Sequence, residues 1–310
     1  MESLSFPTLT FDHPTARRPA VVQGHLLRPP APPTAPCPAM VILTSSAGVQ
    51  RHREHYYAQA LAAAGVAALI VDSFGGRGVR RTVADQSLVS AAQMEGDAFA
   101  ALALLRADPR IDPGRVGLMG VSKGGVATLN AAIAVRQAWR RGFSHLFDLH
   151  VAICPGATAQ HRNPATHGRP MFLMLAARDD YTPAALAIEY AERMRAAGNP
   201  RVKVKVYGAA HHGWESIGGV VEIRDAENWS GCRNLIEDDG RHFVPCLGEA
   251  LDEPAYQAWA RTHCVTRGAR AGGGTQELKR RATDDLLAFL RAHDFAPAWT
   301  NNDPQVTLNA

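Results

Sequence analysis

Short, unbroken apolar runs alternate with longer amphipathic or alanine-rich segments through the middle of the chain. Ala39–Leu43, Val66–Val71, Arg115–Gly120, His150–Cys154, Met171–Ala176 and Val202–Tyr207 read as buried strands. Between them, Tyr56–Ala64, Ser87–Ala107, Gly124–Ala138 and Ala184–Ala197 predict helices; Gly65 closes the first and Gly198 the last, each at the position after a helix end. Strands that are apolar along their whole length and separated by helices imply a mostly parallel sheet with helices on both faces. The predicted class is α/β. Gln276–Arg291 closes the pattern as an amphipathic helix with Leu278, Leu286, Leu287, Phe289 and Leu290 on its apolar side.

Two stretches break this rhythm. Residues 1–38 read as a polar, proline-rich N-terminal extension with one extended piece around Ala20–Leu27, and PPAPPTAPCP at its end predicts a loop. Residues 215–275 are irregular, carry three of the five cysteines, include Trp229 and Trp259, and contain Gly272–Gly274. That is too long for an ordinary connection, so it predicts an insertion over one sheet edge or over the functional site. The whole of 1–310 otherwise reads as one domain.

Composition narrows the function classes. With 46% hydrophobic and 20% charged residues the chain has ample material for a core. A net charge of +4, with arginines scattered as at Arg51, Arg77, Arg110 and Arg136, argues against a nucleic-acid partner. No apolar run approaches the ~20 residues of a membrane span, and no basic-then-apolar leader opens the chain. The expectation is a cytoplasmic protein off the membrane. Cys37, Cys154, Cys232, Cys246 and Cys264 are odd in number and lack zinc-like spacing, which predicts free buried thiols. A disulfide among the last three would instead imply an oxidising compartment. Nothing in the sequence fixes an oligomeric state.

Candidate chemistry centres on Gly120-Val121-Ser122-Lys123-Gly124, between the strand VGLM and the helix VATLNAAIAV. G-x-S-x-G at a strand-to-helix turn is the pattern of a nucleophile elbow, which projects the serine hydroxyl above the sheet. The same turn places the Lys123 amide at a helix N-terminus, where it can donate to a developing oxyanion. The Lys123 side chain is expected to face solvent. A serine hydroxyl needs a base, and a histidine base needs an orienting carboxylate. The loops after two later strands supply both, in Asp179-Asp180 and His211-His212. Local spacing does not choose within either pair, since an aspartate ahead of Pro183 can equally be a helix cap. The His211-His212 pair has no third ligand at metal spacing, and His52-Arg53-Glu54-His55 falls one residue short of a zinc-protease motif, so no metal is expected.

The segments PAMVILTSSAGV, VAALIVDSFGGRG, DPGRVGLMGVSKGG, LAARDDYTPA and YGAAHHGW occur in an order that resembles the dienelactone hydrolase family of α/β hydrolases, from Ala39 to Trp214. The resemblance implies the α/β-hydrolase fold, a small-molecule ester or lactone as substrate, an acyl-enzyme, and no cofactor. It selects Asp179, since Ala176 and Pro183 stand where the family pattern G-x-x-D-x-x-x-P has its glycine and proline. It selects His212, which precedes a small residue and an aromatic. The second oxyanion amide falls at Ser46, with Ser45 as fallback. The best-known members use cysteine as nucleophile and hold a glutamate at the Ser45 position; Ser122 here implies a general esterase. Arg77 in DSFGGRG resembles a family arginine near the site, open to two readings, substrate-carboxylate binding or a structural salt bridge. Trp214, Trp229 and Phe243 could line an acyl or aryl pocket or form the insertion's own core. The same triad would serve an acyltransferase or amidase, and a non-catalytic binding module is the alternative outside enzymes.

Overall fold

The computed structural model describes residues 1–13, 16–30, 35–140 and 143–296. Its strands are β1 (Glu2–His13), β2 (Ala16–Leu27), β3 (Cys37–Leu43), β4 (Ala67–Asp72), β5 (Ile111–Val121), β6 (His150–Ile153), β7 (Ala159–His161), β8 (Met171–Ala176), β9 (Val202–Tyr207), β10 (Val220–Asn228), β11 (Asn234–Ile236), β12 (His242–Val244), β13 (Glu249–Leu251) and β14 (Thr266–Gly272). The α-helices are α1 (Tyr56–Ala63), α2 (Ala91–Ala107), α3 (Lys123–Ala132), α4 (Ala184–Ala196), α5 (Glu253–His263) and α6 (Gln276–Arg291).

Eight strands form one sheet in the order β1-β2-β4-β3-β5-β6-β8-β9. From β4 to β9 every pairing is parallel, whereas β1–β2 and β2–β4 are antiparallel. Successive side chains of a strand point to opposite faces, and the core divides accordingly. Met40, Ile42, Ala68 and Ile70 pack with Tyr57 and Leu61 of α1 and Leu286 and Leu290 of α6. Ala39, Val41, Leu43, Leu69 and Leu118 face the other way, against Phe99 and Leu102 of α2 and Ala127 of α3. On that second face, Met171, Leu173 and Leu175 of β8 meet Ala187, Tyr190 and Met194 of α4. The α/β class and the two-faced parallel sheet expected from the apolar runs are what the chain forms.

Departures lie where the periodicity is weak. The N-terminal stretch is a β1–β2 hairpin that enters the main sheet through β4, rather than an extension with one extended piece. Of the proline-rich run 29–38, residues 31–34 lie outside the described residues. The helix expected over Ser87–Ala107 starts later, because Ser90 caps it: its hydroxyl accepts from the Gln93 amide (3.1 Å), and Gln93 Oε1 accepts from the Ser90 amide (2.7 Å). Residues 215–275 hold β10–β14 and α5. There β7, β11, β12 and β13 make a four-stranded sheet, and β10 pairs with β14. Cys232 and Cys264 are joined as a disulfide with Cα atoms 5.2 Å apart, so the expectation of free buried thiols holds for Cys37 and Cys154, fails for this pair, and fails in burial for Cys246, which is free but exposed. Disulfides persist in oxidising compartments, so the pair stands at odds with the expected cytoplasmic setting. Among the described residues no helix is long and apolar enough to cross a membrane.

Glycine at the end of β5 is a steric requirement. A Cβ on Gly120 would lie 2.1 Å from the Gly124 carbonyl oxygen and 2.6 Å from Thr128 Oγ1, and one on Gly124 would lie 2.5 Å from the Thr44 oxygen. Gly120→Ala should therefore cost about 3 kcal/mol or more, because the obstruction is backbone that cannot rotate away. Gly208→Ala, with nothing within 4 Å of the added carbon, is the control expected near zero. Urea midpoints of the two variants check this; similar midpoints would show that the turn can open.

Candidate active site

Parallel α/β sheets present their functional loops at the carboxyl ends of their strands. Ser122 follows β5, Asp179 follows β8 and His212 follows β9, so three residues distant in sequence come to one edge. Ser122 adopts φ 54° and ψ −113°, a left-handed turn that L-residues avoid, between the end of β5 and the first turn of α3. The turn is fixed from below: the Ser122 amide donates to the Ile153 carbonyl (2.8 Å). Its hydroxyl is left facing the loops above.

His212 Nε2 lies 3.1 Å from Ser122 Oγ, and His212 Nδ1 lies 2.8 Å from Asp179 Oδ2. All three side chains are buried. Asp179 Oδ1 accepts from the amides of Tyr181 (2.9 Å) and Thr182 (2.7 Å), and Oδ2 accepts from the Thr182 hydroxyl (2.8 Å). Burial on its own would raise this carboxyl's pKa. The His212 ring and the Thr182 donors outweigh burial and hold it below the ordinary aspartate value. Asp180 turns away: it accepts from the Arg270 amide (2.9 Å) and pairs with Arg270 Nε (2.6 Å), clamping β14 against this loop. β14 also supports the histidine, since the Gly272 amide donates to the His212 carbonyl (2.8 Å).

The turn after β3 brings Ser46 to the same cavity as Ser122 and Lys123. Ser46 Oγ donates to Gln86 Oε1 (2.9 Å), and Gln86 Nε2 donates to the Tyr181 hydroxyl (2.9 Å); the Tyr181 ring meets the His212 ring edge-on at 5.1 Å. Ser45 does not face the cavity. Its hydroxyl accepts from Arg53 Nη2 (2.7 Å) and the Ala47 amide (3.1 Å), and buried Arg53 is in turn paired with Glu54 (2.8 Å). Ser45 is thus an anchor of the turn rather than a substrate contact.

Two further expectations, for Lys123 and Trp214, are corrected, and the two readings left open for Arg77 narrow to the structural salt bridge. The Lys123 side chain is buried, not solvent-facing, because residues 82–89 fold over the start of α3. Its Nζ donates to Thr82 Oγ1 and to the carbonyls of Gln86 and Val89, each at 2.8 Å. Burial lowers this amine to about 7 against the opposing pull of Glu227 and Asp85. Arg77 makes a bidentate pair with buried Asp97 (2.8 and 2.9 Å) and does not line the cavity. Trp214 is fully buried in the core beneath the site, 5.1 Å from the Tyr207 ring, because its side chain points down from the loop. Of the aromatics named with it, Trp229 does line the cavity, while Phe243 lies under Arg162 (4.7 Å).

Two contributors carried no motif. Thr182 bonds both Asp179 and the Cys154 carbonyl (3.0 Å), and its position three residues after an aspartate was the available signal. Cys154, at φ 42°, places its thiol beside Asp179. Ligand atoms of Cys154, Asp179 and His212 fall within 4.8 Å of one another. Asp179 and His212 nonetheless commit the facing atoms to each other. Burial, and then the Asp179 charge, push the thiol well above its usual range, so it stays protonated.

The cavity has a volume of about 710 Å³, and Trp229, Ile236, His242 and Tyr256 wall it from the 215–275 stretch. The chain resembles solved structures of esterase 2 from Thermogutta terrifontis. Against the paraoxon-phosphorylated form it has 16% identity and a TM-score of 0.59, covering 90% of this chain and 91% of that one. Against the butyrate-bound form the values are 14%, 0.57, 90% and 92%. At these identities the likeness speaks to the fold. No curated protein matches the sequence significantly. Residues 22–237, more than two thirds of the chain, match the model of the Dienelactone hydrolase family, and the chain belongs to that family.

Proposed function

We propose that the protein is a serine esterase acting on carboxylic esters through Ser122, His212 and Asp179. The observation that carries this reading is the continuous relay from Ser122 Oγ to His212 Nε2 (3.1 Å) and from His212 Nδ1 to Asp179 Oδ2 (2.8 Å). His212 removes the hydroxyl proton as Ser122 attacks the ester carbonyl. Asp179, ionised at neutral pH, holds the imidazole tautomer that accepts at Nε2. The amides of Lys123 and Ser46 receive the oxyanion: the first is the leading N–H of α3, and the second belongs to a turn held by Arg53. His212 then gives its proton to the leaving alcohol. Water, activated by the same imidazole, releases the acid. Every step is carried by side chains and amides of this chain.

Family membership supports a hydrolase, and the structural neighbours are named esterases, one phosphorylated by paraoxon. The test is a fluorophosphonate probe with a p-nitrophenyl ester assay. The folded protein should turn over the ester, and the probe should abolish turnover while modifying the peptide that contains Ser122. Labelling of a different residue, or intact turnover after complete modification of Ser122, would remove the reading.

A further inference from the structure

The cavity runs away from Ser122 along one face of α3. Ser122, Val126 and Asn130 all line it, at the four-residue spacing that stacks side chains on one side of a helix. At the α-helical rise, the eight residues from Ser122 to Asn130 span about 12 Å. At the far end stand Glu95 of α2 and Arg136 and Arg140 from the segment after α3, all buried and all lining the cavity. Arg140 Nη2 donates to the Asn130 carbonyl (2.8 Å), which fixes this group at the end of α3.

Glu95 is used by both arginines. Arg140 Nε donates to Oε1 (2.7 Å), while Arg136 Nε (3.0 Å) and Nη2 both donate to Oε2. Two guanidinium ions thus share one carboxylate. Arg140 Nη1 is buried without an acceptor, and the hydrogen bonds of Arg136 run from Nε and Nη2, with none from Nη1 among the described residues. Glu253 faces this end from α5, but its oxygens are engaged by His242 Nε2 (2.5 Å) and Gln257 Nε2 (2.6 Å). The other cations along the cavity are occupied: Lys123 by its three acceptors, Arg261 by Glu227 (3.0 Å) and Asp85 (3.2 Å). Arg136 also stacks on Trp139, 4.5 Å from the ring centroid, which holds its fork in place. A buried guanidinium with unused N–H groups is costly unless an acceptor reaches it.

The geometry points to a subsite for an anionic group at Arg136, so that the preferred substrates are esters whose acyl chain ends in a carboxylate about 12 Å from the scissile carbonyl. These are half-esters of long, straight dicarboxylic acids. The inference rests on the esterase reading, and it concerns the acyl side because that chain stays bound through both half-reactions. Because Nε and Nη2 of Arg136 are held by Glu95, a substrate carboxylate would meet the other edge of the guanidinium, the one that carries Nη1.

Steady-state kinetics on paired substrates test it. The p-nitrophenyl monoesters of adipic, suberic and sebacic acid are compared with the neutral hexanoate, octanoate and decanoate. The wild-type protein should prefer the monoester, with the advantage in kcat/KM growing with chain length to about 10- to 100-fold, the worth of one charge-assisted hydrogen bond. Arg136→Gln should erase that advantage, so that the monoester and the neutral ester of equal chain length are turned over with equal kcat/KM. Should that variant fail to fold, calorimetric titration of wild-type protein with sebacate decides, with binding that weakens in high salt expected. Equal or lower efficiency on every monoester, with neutral esters turned over normally, would overturn the subsite alone. Absence of turnover on all esters by folded protein would instead overturn the esterase reading, and absence of sebacate binding would then overturn the subsite as well.

Discussion

Ser122→Ala should lower kcat for ester hydrolysis by about four to six orders of magnitude while leaving the fold in place. The size follows from what is removed. Ser122 Oγ is the atom 3.1 Å from His212 Nε2, and without it no covalent intermediate can form. The oxyanion donors and the cavity survive, so a residual rate above water remains. The backbone strain at φ 54° is already borne by serine, and alanine carries the same Cβ, so the turn gains no new clash. The orphaned imidazole faces the cavity, where water can take the place of the hydroxyl. Thermal midpoints of variant and parent should therefore agree closely. Turnover above about a hundredth of the parent rate, far short of the expected loss, would show that another group attacks the ester. The paired measurement also separates loss of chemistry from loss of structure.

How far the sequence revealed the protein depended on how local the physics was at each position. β8, β9 and α6 fall on the expected residues because each carries a strong signal: an unbroken apolar run for β8, valines at every second position for β9, and a leucine-rich stripe behind the Thr275 cap for α6. The elbow was legible because a Cβ at Gly120 would lie 2.1 Å from the Gly124 carbonyl oxygen, which strongly favours glycine there. The β1–β2 hairpin was hidden because its stability comes from pairing with β4, a long-range fact, while its prolines and polar residues suggested a loop. β10–β14 and α5 were hidden for a related reason. They pack a small core of Cys232, Val244, Tyr256 and Ala260, and short strands around so few apolar residues leave little periodicity to detect.

The misplaced side chains have a common cause. Lys123 and Trp214 were assigned from neighbours in the chain, yet their surroundings are set by remote segments, as is the choice between the two readings of Arg77. Residues 82–89 cover Lys123, β9 backs Trp214, and α2 supplies Asp97 to Arg77. Loop position in sequence says which edge of the sheet a residue reaches. It does not say whether the side chain points up into the cavity or down into the core.

Asp179→Asn should reduce kcat by about four orders of magnitude, and Asp180→Asn should barely change it. The two aspartates are adjacent and chemically identical, so the contrast isolates position. Asp179 is buried, accepts two amides and a hydroxyl, and fixes His212 Nδ1 at 2.8 Å. Asparagine there presents an amide whose NH2 would favour the wrong imidazole tautomer, with the proton on Nε2 facing Ser122. Asp180 forms a half-exposed pair with Arg270, worth at most about 1 kcal/mol. Its loss loosens β14 without touching the relay. The acid dependence of stability gives a second readout. A carboxyl held below its ordinary pKa stabilises the fold above that ordinary value, and the contribution is lost as pH falls through the depressed one. Asp179→Asn should therefore lose stability at neutral pH and flatten the decline of the urea midpoint on acidification. A larger catalytic loss in Asp180→Asn than in Asp179→Asn would reverse the assignment of the acid and take the proposed relay with it.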